Sequence, residues 1–131
     1  MIGLDTNVLV RYIAQDDIAQ ARQATALIES LTDEAPGFVS MVAVVELVWV
    51  IQGCYDAGKD ETVAILDTLL RLRTLRLENT EVVARAVRSY AASKADFADA
   101  LIECSGRHAQ CSHTATFDGK AAGTAGMQLI T

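Results

Sequence analysis

Four acidic side chains stand at the end of an apolar segment or inside one: Asp5, Glu46, Asp99 and Asp118. A carboxylate that loses contact with water is costly unless a cation or a hydrogen-bond network compensates it. The hard divalent cations Mg²⁺ and Mn²⁺ give such compensation because they prefer carboxylate oxygens as ligands. The four acids therefore predict a site for Mg²⁺ or Mn²⁺.

Hydrolysis of a phosphodiester is the chemistry that best fits an all-carboxylate metal site. Mg²⁺ keeps several waters, and one of them can become the attacking hydroxide. Where two metal ions lie about 3.5–4 Å apart, the second stabilises the leaving oxygen. No serine, cysteine or histidine nucleophile is then required. A glycosidase fits less well, because its mechanism uses two acids and would leave the others unexplained.

Glu46 interrupts an otherwise apolar run. Every other residue from Met41 to Ile51 is apolar, so a helix over this run is predicted to bury most of its circumference. A lone glutamate inside such a helix needs a partner. The alternative is a side chain that reaches solvent, or a single arginine, at the helix edge. Burial favours the interpretation of Glu46 as a metal ligand.

Asp5 and Asp118 lie at or just beyond the ends of two predicted strands, Ile2–Asp5 and Ser112–Thr116. Ligands of open parallel sheets bind beyond the carboxyl ends of the strands, where the loops converge. Either aspartate alone could instead cap the following helix. Thr116 stands two residues before Asp118, so both side chains leave the strand on the same side.

Asp96 and Asp99 are three residues apart, which puts both on one face in the first turns of a predicted helix. Two like charges at this spacing repel each other unless a cation lies nearby. Asp96 could also cap this helix, whereas Asp99 lies inside it, where capping explains it less well. Asp99 is therefore the predicted ligand, with Asp96 as its neighbour.

Strand and helix patterns alternate along the chain without a linker. They predict an α/β fold in which a central parallel sheet of four to five short strands is flanked by helices, all within one domain over residues 1–131. The predicted strands are 2–5, 38–40, 74–77, 112–116 and 127–130. The predicted helices begin near Val8 and cover about 16–31, 41–51, 60–72, 80–93 and 96–109, with a short one near Lys120 and with Ser40 as the N-cap of the third.

Composition limits the class of protein. The 131 residues are 51% hydrophobic, which is enough for a real core. No apolar run is long enough to span a membrane, and the first residues lack the pattern of a signal peptide. Three cysteines form no disulfide framework. We therefore expect a cytoplasmic protein without a membrane partner.

The net charge of −6 argues at first against a nucleic-acid partner, because phosphate binding relies on Lys and Arg. Bound divalent ions would reverse the sign of the local field around clustered acids, however. Five of the eleven basic residues also fall in one short segment: Arg71, Arg73, Arg76, Arg85 and Arg88. Arg85 and Arg88 are candidates for binding RNA or a protein partner, and the alternative is an ordinary solvated helix face.

Four segments of the chain resemble the signature segments of the PIN domain. They are Leu4–Val10, Val44–Trp49, Asp96–Ile102 and Thr116–Asp118. More narrowly, the chain resembles the VapC-type toxins of bacterial toxin–antitoxin pairs, which are small ribonucleases. Each segment alone is a weak signal, but all four in this order make a specific set. Gly119 departs from the usual pattern, because a larger residue is common after the last aspartate.

The resemblance implies an Mg²⁺- or Mn²⁺-dependent endoribonuclease that uses metal-activated water, forms a homodimer and is silenced by a cognate antitoxin. Asp5, Glu46, Asp99 and Asp118 would be the catalytic metal ligands. The residues implied as accessory are Thr6, Asn7, Ser40, Asp96 and Thr116.

Two alternatives to the hypothesis of a metal-dependent endoribonuclease remain. Cys104, His108 and Cys111 share a helical face near His113 and could hold zinc, but a cysteine in a core-facing helix is the ordinary case, so no zinc site is predicted. The second alternative is a catalytically weak or silent PIN-like module that binds an antitoxin or RNA. The presence of all four acids favours the enzyme.

Overall fold

A computed structural model describes the whole chain, Met1–Thr131, and divides it into two compact units, Met1–Glu78 and Asn79–Thr131. The first unit contains β1 (Ile2–Gly3), α1 (Thr6–Ala14), α2 (Ile18–Glu29), β2 (Gly37–Val39), α3 (Met41–Cys54), α4 (Lys59–Arg71) and β3 (Leu75–Leu77). The second unit contains α5 (Thr80–Ala92), α6 (Phe97–His108), β4 (Ala115–Thr116), α7 (Gly119–Ala125) and β5 (Gln128–Leu129).

The sheet of the first unit has three parallel strands in the order β1-β2-β3. Gly37 pairs with Ile2 on one side and with Leu75 on the other. Parallel neighbours require crossover connections, which the intervening helices provide. Because β1 and β2 are parallel neighbours, the helices that follow them, α1 and α3, both start at the same edge of the sheet.

Apolar side chains from the sheet and its helices form the core of the first unit. Leu9 of α1, Val39 of β2, Leu47 of α3 and Leu66 of α4 are fully buried. Gly37 permits close packing at the sheet, because a Cβ there would lie only 2.9 Å from Leu4 Cδ1. The core therefore fixes α1 and α3 against the sheet from which they emerge.

The second unit is built on the packing of α5 against α6 and on a parallel pair of strands, β4 and β5, that flank α7 in sequence. Tyr90 of α5 and Phe97 of α6 meet edge to face, with ring centroids 5.8 Å apart. A smaller cluster of buried side chains, Ala95, Ala121, Ala125 and Met127, holds α7.

The α/β class is confirmed, but the prediction of one central sheet of four to five strands is wrong. The structure has a three-stranded sheet in the first unit and a two-stranded sheet in the second. The strands have only two or three residues, and an apolar alternation indicates strands without indicating which of them pair. That the chain forms one domain stays a prediction. None of the helices has the length and apolar character needed to cross a membrane.

Candidate functional site

Asp5 lies between β1 and α1 and caps that helix. Its backbone is extended, and its Oδ1 accepts a hydrogen bond from the Thr6 amide at 2.8 Å. The side chain of Asp5 makes no other hydrogen bond, so Oδ2 is free. Capping therefore engages only one of the two carboxylate oxygens, and the same residue can still act as a ligand.

Glu46 lies in α3, and its Oε1 accepts a hydrogen bond from the Thr6 hydroxyl at 3.0 Å. The prediction that Glu46 is buried is wrong, because the residue is exposed. Its helix neighbours Val42 and Trp49 are also 69% and 63% exposed, so α3 buries only one side. The Thr6 hydroxyl contacts one oxygen of the Glu46 carboxylate, and solvent can reach the residue.

One surface pocket of about 430 Å³ in the first unit brings Asp5 and Glu46 together. Thr6 and Asn7 also line this pocket, as the accessory assignment predicts. Ser40 does not line it. Its hydroxyl accepts a hydrogen bond from the Ala43 amide at 3.1 Å, which confirms the prediction that Ser40 is the N-cap of α3.

Asp118 in the second unit repeats the arrangement of Asp5. It caps α7, and its Oδ1 accepts a hydrogen bond from the Lys120 amide at 2.9 Å. The Asp118 amide donates to the Thr116 hydroxyl at 3.0 Å. Thr116 therefore fixes the backbone of the turn that carries Asp118, and the second carboxylate oxygen is left free.

Asp99 is half-buried in the first turn of α6, and its carboxylate has neither a hydrogen bond nor an ion pair. Burial raises the pKa of its carboxyl group, and the neighbouring carboxylates of Asp96 and Asp118 raise it further. Asp96 begins α6 without a capping hydrogen bond, and its Oδ1 lies 3.3 Å from Lys120 Nζ. The second unit thus contains three acids close enough to affect one another.

The structure brings the predicted ligands together in two sets. Asp5 and Glu46 belong to the first unit, and Asp96, Asp99 and Asp118 belong to the second. No group of three or more His, Cys, Asp or Glu side chains has the geometry to hold a metal ion. The donors in both sets are all oxygens, the chemistry that Mg²⁺ and Mn²⁺ prefer. Mutual repulsion around Asp99 is a second feature that a cation would relieve.

The residues of the zinc alternative differ in their surroundings. Cys104 is buried in α6, and burial raises the pKa of its thiol. Cys111 and His113 follow the end of that helix and are exposed. Cys104 therefore behaves as a packed apolar side chain.

The arginine segment is divided between the two units. Arg73 and Arg76 both contact Asp33 in the first unit, at 2.9 Å to its carboxylate and 3.3 Å to its carbonyl oxygen. In the second unit, Arg85 forms an exposed ion pair with Glu81 at 2.8 Å, and Arg88 is exposed. The pair made by Arg85 is the ordinary i,i+4 pairing of a solvated helix face.

Arg11 and Tyr55 also line the pocket that contains Asp5 and Glu46, and the sequence analysis did not predict either of them. Arg11 stands four residues after Asn7, which places both on one face of α1. That spacing was a usable signal. The sequence has no such signal for Tyr55. This residue lies directly after the end of α3, and only folding brings it into contact with Arg11, which is distant in sequence.

An α/β fold whose acids follow its parallel strands defines a class of proteins that bind polar ligands at that edge of the sheet. The chain matches the family model of the PIN domain over residues 2–126. Since this match covers almost the whole chain, the chain belongs to the PIN-domain family, whose members are generally nucleases. A comparison with curated proteins found no match.

Proposed function

We propose that this protein is an Mg²⁺- or Mn²⁺-dependent endoribonuclease and the toxin of a toxin–antitoxin pair. One observation carries the proposal: the PIN-domain match spans residues 2–126 and includes all four signature acids, Asp5, Glu46, Asp99 and Asp118. A PIN-like protein without activity would be expected to lack at least one of them.

The four carboxylates would hold the cation, and the supporting observations come from each unit separately. In the first unit, Thr6 donates to Glu46 Oε1 and leaves Oε2 free, while Asp5 keeps a free oxygen beside it in the same pocket. In the second unit, Asp118 also keeps a free oxygen, and Asp99 has no partner. That both units contribute to one site rests on the family membership.

When bound, the divalent cation supplies a water acidic enough to attack a phosphodiester near neutral pH. The residues of the chain prepare for this in three ways. Thr6 orients the Glu46 carboxylate, Thr116 fixes the turn that carries Asp118, and the acids around Asp99 create a field that favours a cation. Lys120 partly neutralises this field through its ion pair with Asp96.

The toxin role rests on the resemblance of the four segments to VapC-type toxins. It brings three further proposals: RNA as the substrate, a homodimer as the active form, and a cognate antitoxin that covers the groove beside the acids. The genomic neighbourhood tests this role directly. A small adjacent reading frame whose product binds the protein and stops cleavage supports it, and a protein that no neighbouring product inhibits would contradict it.

Cleavage of RNA by the purified protein tests the enzymatic part. We expect single-stranded RNA to be cut internally with Mg²⁺ or Mn²⁺, and to remain intact with EDTA or with Asp99→Asn. Asp67→Asn is a matched control, because Asp67 is also a half-buried aspartate in a helix. If the wild-type protein leaves RNA intact with both metals but still binds it, the second candidate gains support, a silent PIN-like binding module. The absence of three acids in metal-binding geometry is the observation that favours this candidate.

A further inference from the structure

Arg11 is held by a network of polar side chains near the acids of the first unit. Its Nε donates to Gln20 Oε1 at 2.8 Å, and its Nη1 forms an ion pair with Asp16 Oδ1 at 3.2 Å. The phenol of Tyr55 donates to the other oxygen of Asp16 at 2.8 Å, and Nη1 lies 3.4 Å from that phenol oxygen. Three side chains thus fix one guanidinium group.

Arg11 and Tyr55 line the same pocket of about 430 Å³ as Asp5 and Glu46. Because α1 and α3 leave the same edge of the sheet, both helices lead away from the acids along this pocket. Arg11 lies about 7.5 Å beyond Thr6 along the axis of α1, at about 1.5 Å per residue. A cation and an aromatic ring therefore stand one helical turn or more from the acids.

The guanidinium group keeps donors for a ligand. Nη2 makes no hydrogen bond, and the side chain of Arg11 is 32% exposed. Arg11 also lines a second pocket of about 250 Å³ together with Asn7, Gln20 and Gln23, so a ligand can approach it from both sides. A guanidinium fork matches the geometry of a phosphate, and an exposed phenol ring can stack on a base.

We propose that Arg11 and Tyr55 form a substrate subsite that binds the phosphate and base of a single-stranded RNA nucleotide next to the scissile bond. This inference rests on the proposed function, because it names how the same pocket would hold the substrate. Arg11 acts as a positioning residue. Asp16 and Gln20 set the orientation of its side chain and leave Nη2 to the phosphate.

The protonation of the network agrees with this role. The hydrogen bond from Tyr55 lowers the pKa of Asp16 and raises the pKa of the Tyr55 phenol. The phenol therefore stays neutral at physiological pH and does not repel a phosphate. An ion pair as exposed as that of Arg11 and Asp16 contributes little to stability, so removal of Arg11 should leave the fold intact.

Binding of a fluorescein-labelled single-stranded RNA, measured by anisotropy in EDTA, tests the subsite without turnover. We expect Arg11→Ala to weaken binding about tenfold, the loss typical of one charge-assisted hydrogen-bond pair. With metal present, KM should rise by a similar factor while kcat stays within about twofold. The matched control is Arg73→Ala, which removes an arginine from an exposed ion pair with Asp33 in the same unit. It should leave both quantities almost unchanged.

Asp16→Asn separates substrate binding from a structural role. Asp16→Asn removes the negative charge that competes with an RNA phosphate for Arg11. The variant should therefore bind RNA at least as tightly as the control variant Asp33→Asn does. If the network only supports the fold, Asp16→Asn should instead weaken binding together with Arg11→Ala and lower the melting temperature. Tyr55→Phe keeps the ring and should preserve binding, whereas Tyr55→Ala should weaken it without loss of the folded state in a melting experiment.

The subsite is overturned if Arg11→Ala binds RNA as the Arg73→Ala control does, or if the wild-type protein does not bind RNA in EDTA. Failure of the proposed function would look different. The protein would then bind the RNA through Arg11 and still not cleave it with either metal.

Discussion

At the scale of single residues, capping and ligand binding turn out to be compatible for Asp5 and Asp118. Each carboxylate accepts one backbone hydrogen bond through Oδ1 and keeps Oδ2 free. The sequence predicts their positions well, because the change from strand to helix is a local pattern. It could not predict the exposure of Glu46, since the side of α3 that faces the core is set by elements far away in sequence.

Asp99 gives a prediction about pH. Because the pKa of Asp99 is raised in the folded state, the folded protein binds more protons than the unfolded chain just above the ordinary value of 3.8. Protonated Asp99 therefore does not destabilise the folded protein at low pH. As pH rises through this range the carboxyl group ionises, and this stability is lost. Asp99→Asn should have a larger free energy of unfolding than the wild type at about pH 7 and nearly the same one at about pH 3.

Urea unfolding at both pH values measures this difference, with Asp67→Asn as the control. A gain of the same size at both pH values would show that repulsion around Asp99 is not its source. With saturating Mn²⁺ at neutral pH, the wild type should instead have a larger free energy of unfolding than Asp99→Asn, because a ligand stabilises the form that binds it.

At the scale of helices and strands, the sequence predicts the ends of most helices to within a few residues. It predicts the pairing of the strands poorly. The apolar periodicity of α5 and α6 and the capping residues of α3 and α7 are local, and the structure confirms them. The division into two sheets depends on contacts between strands of two or three residues, for which the sequence has no signal. The network around Arg11 was missed for the same reason, because Asp16 and Tyr55 meet it only in the folded chain.

Ser40 tests how firmly the cap of α3 holds the helix that carries Glu46. Ser40→Ala removes the hydrogen bond to the Ala43 amide and should lower the free energy of unfolding by about 1 kcal/mol. Ser40→Asp should keep the cap and most of the stability. Urea denaturation compares the variants, and an alanine variant as stable as the wild type would show that the cap contributes nothing.

At the scale of the whole molecule, the net charge of −6 leaves few cations for nucleic acid. Of the eleven basic residues, at least five form ion pairs with acids of the chain: Arg11, Arg73, Arg85, Arg107 and Lys120. Recognition must therefore rely on a small contact area, to which the field of bound divalent ions would add.

The salt dependence of RNA binding follows from this charge distribution. For a single strand, the slope of log K against log salt is about −0.7 per phosphate contacted. With Arg11 and at most one or two other cations in contact, we expect a slope no steeper than about −2. A titration in EDTA at several KCl concentrations measures it. A slope of about −5 or steeper would reveal a phosphate-binding surface elsewhere, with Arg85 and Arg88 as the first candidates.

The proposed nuclease requires Asp5 and Asp99 to serve the same reaction, RNA cleavage. The direct measurement is the cleavage rate, with saturating Mn²⁺, of Asp5→Asn, Asp99→Asn and the double variant, each shown to be folded by its melting curve. If the acids hold one cation, each single variant should lose activity by about a thousandfold or more, and the double variant should be hardly slower than either. A folded single variant that cleaves RNA within about twofold of the wild-type rate would contradict the claim.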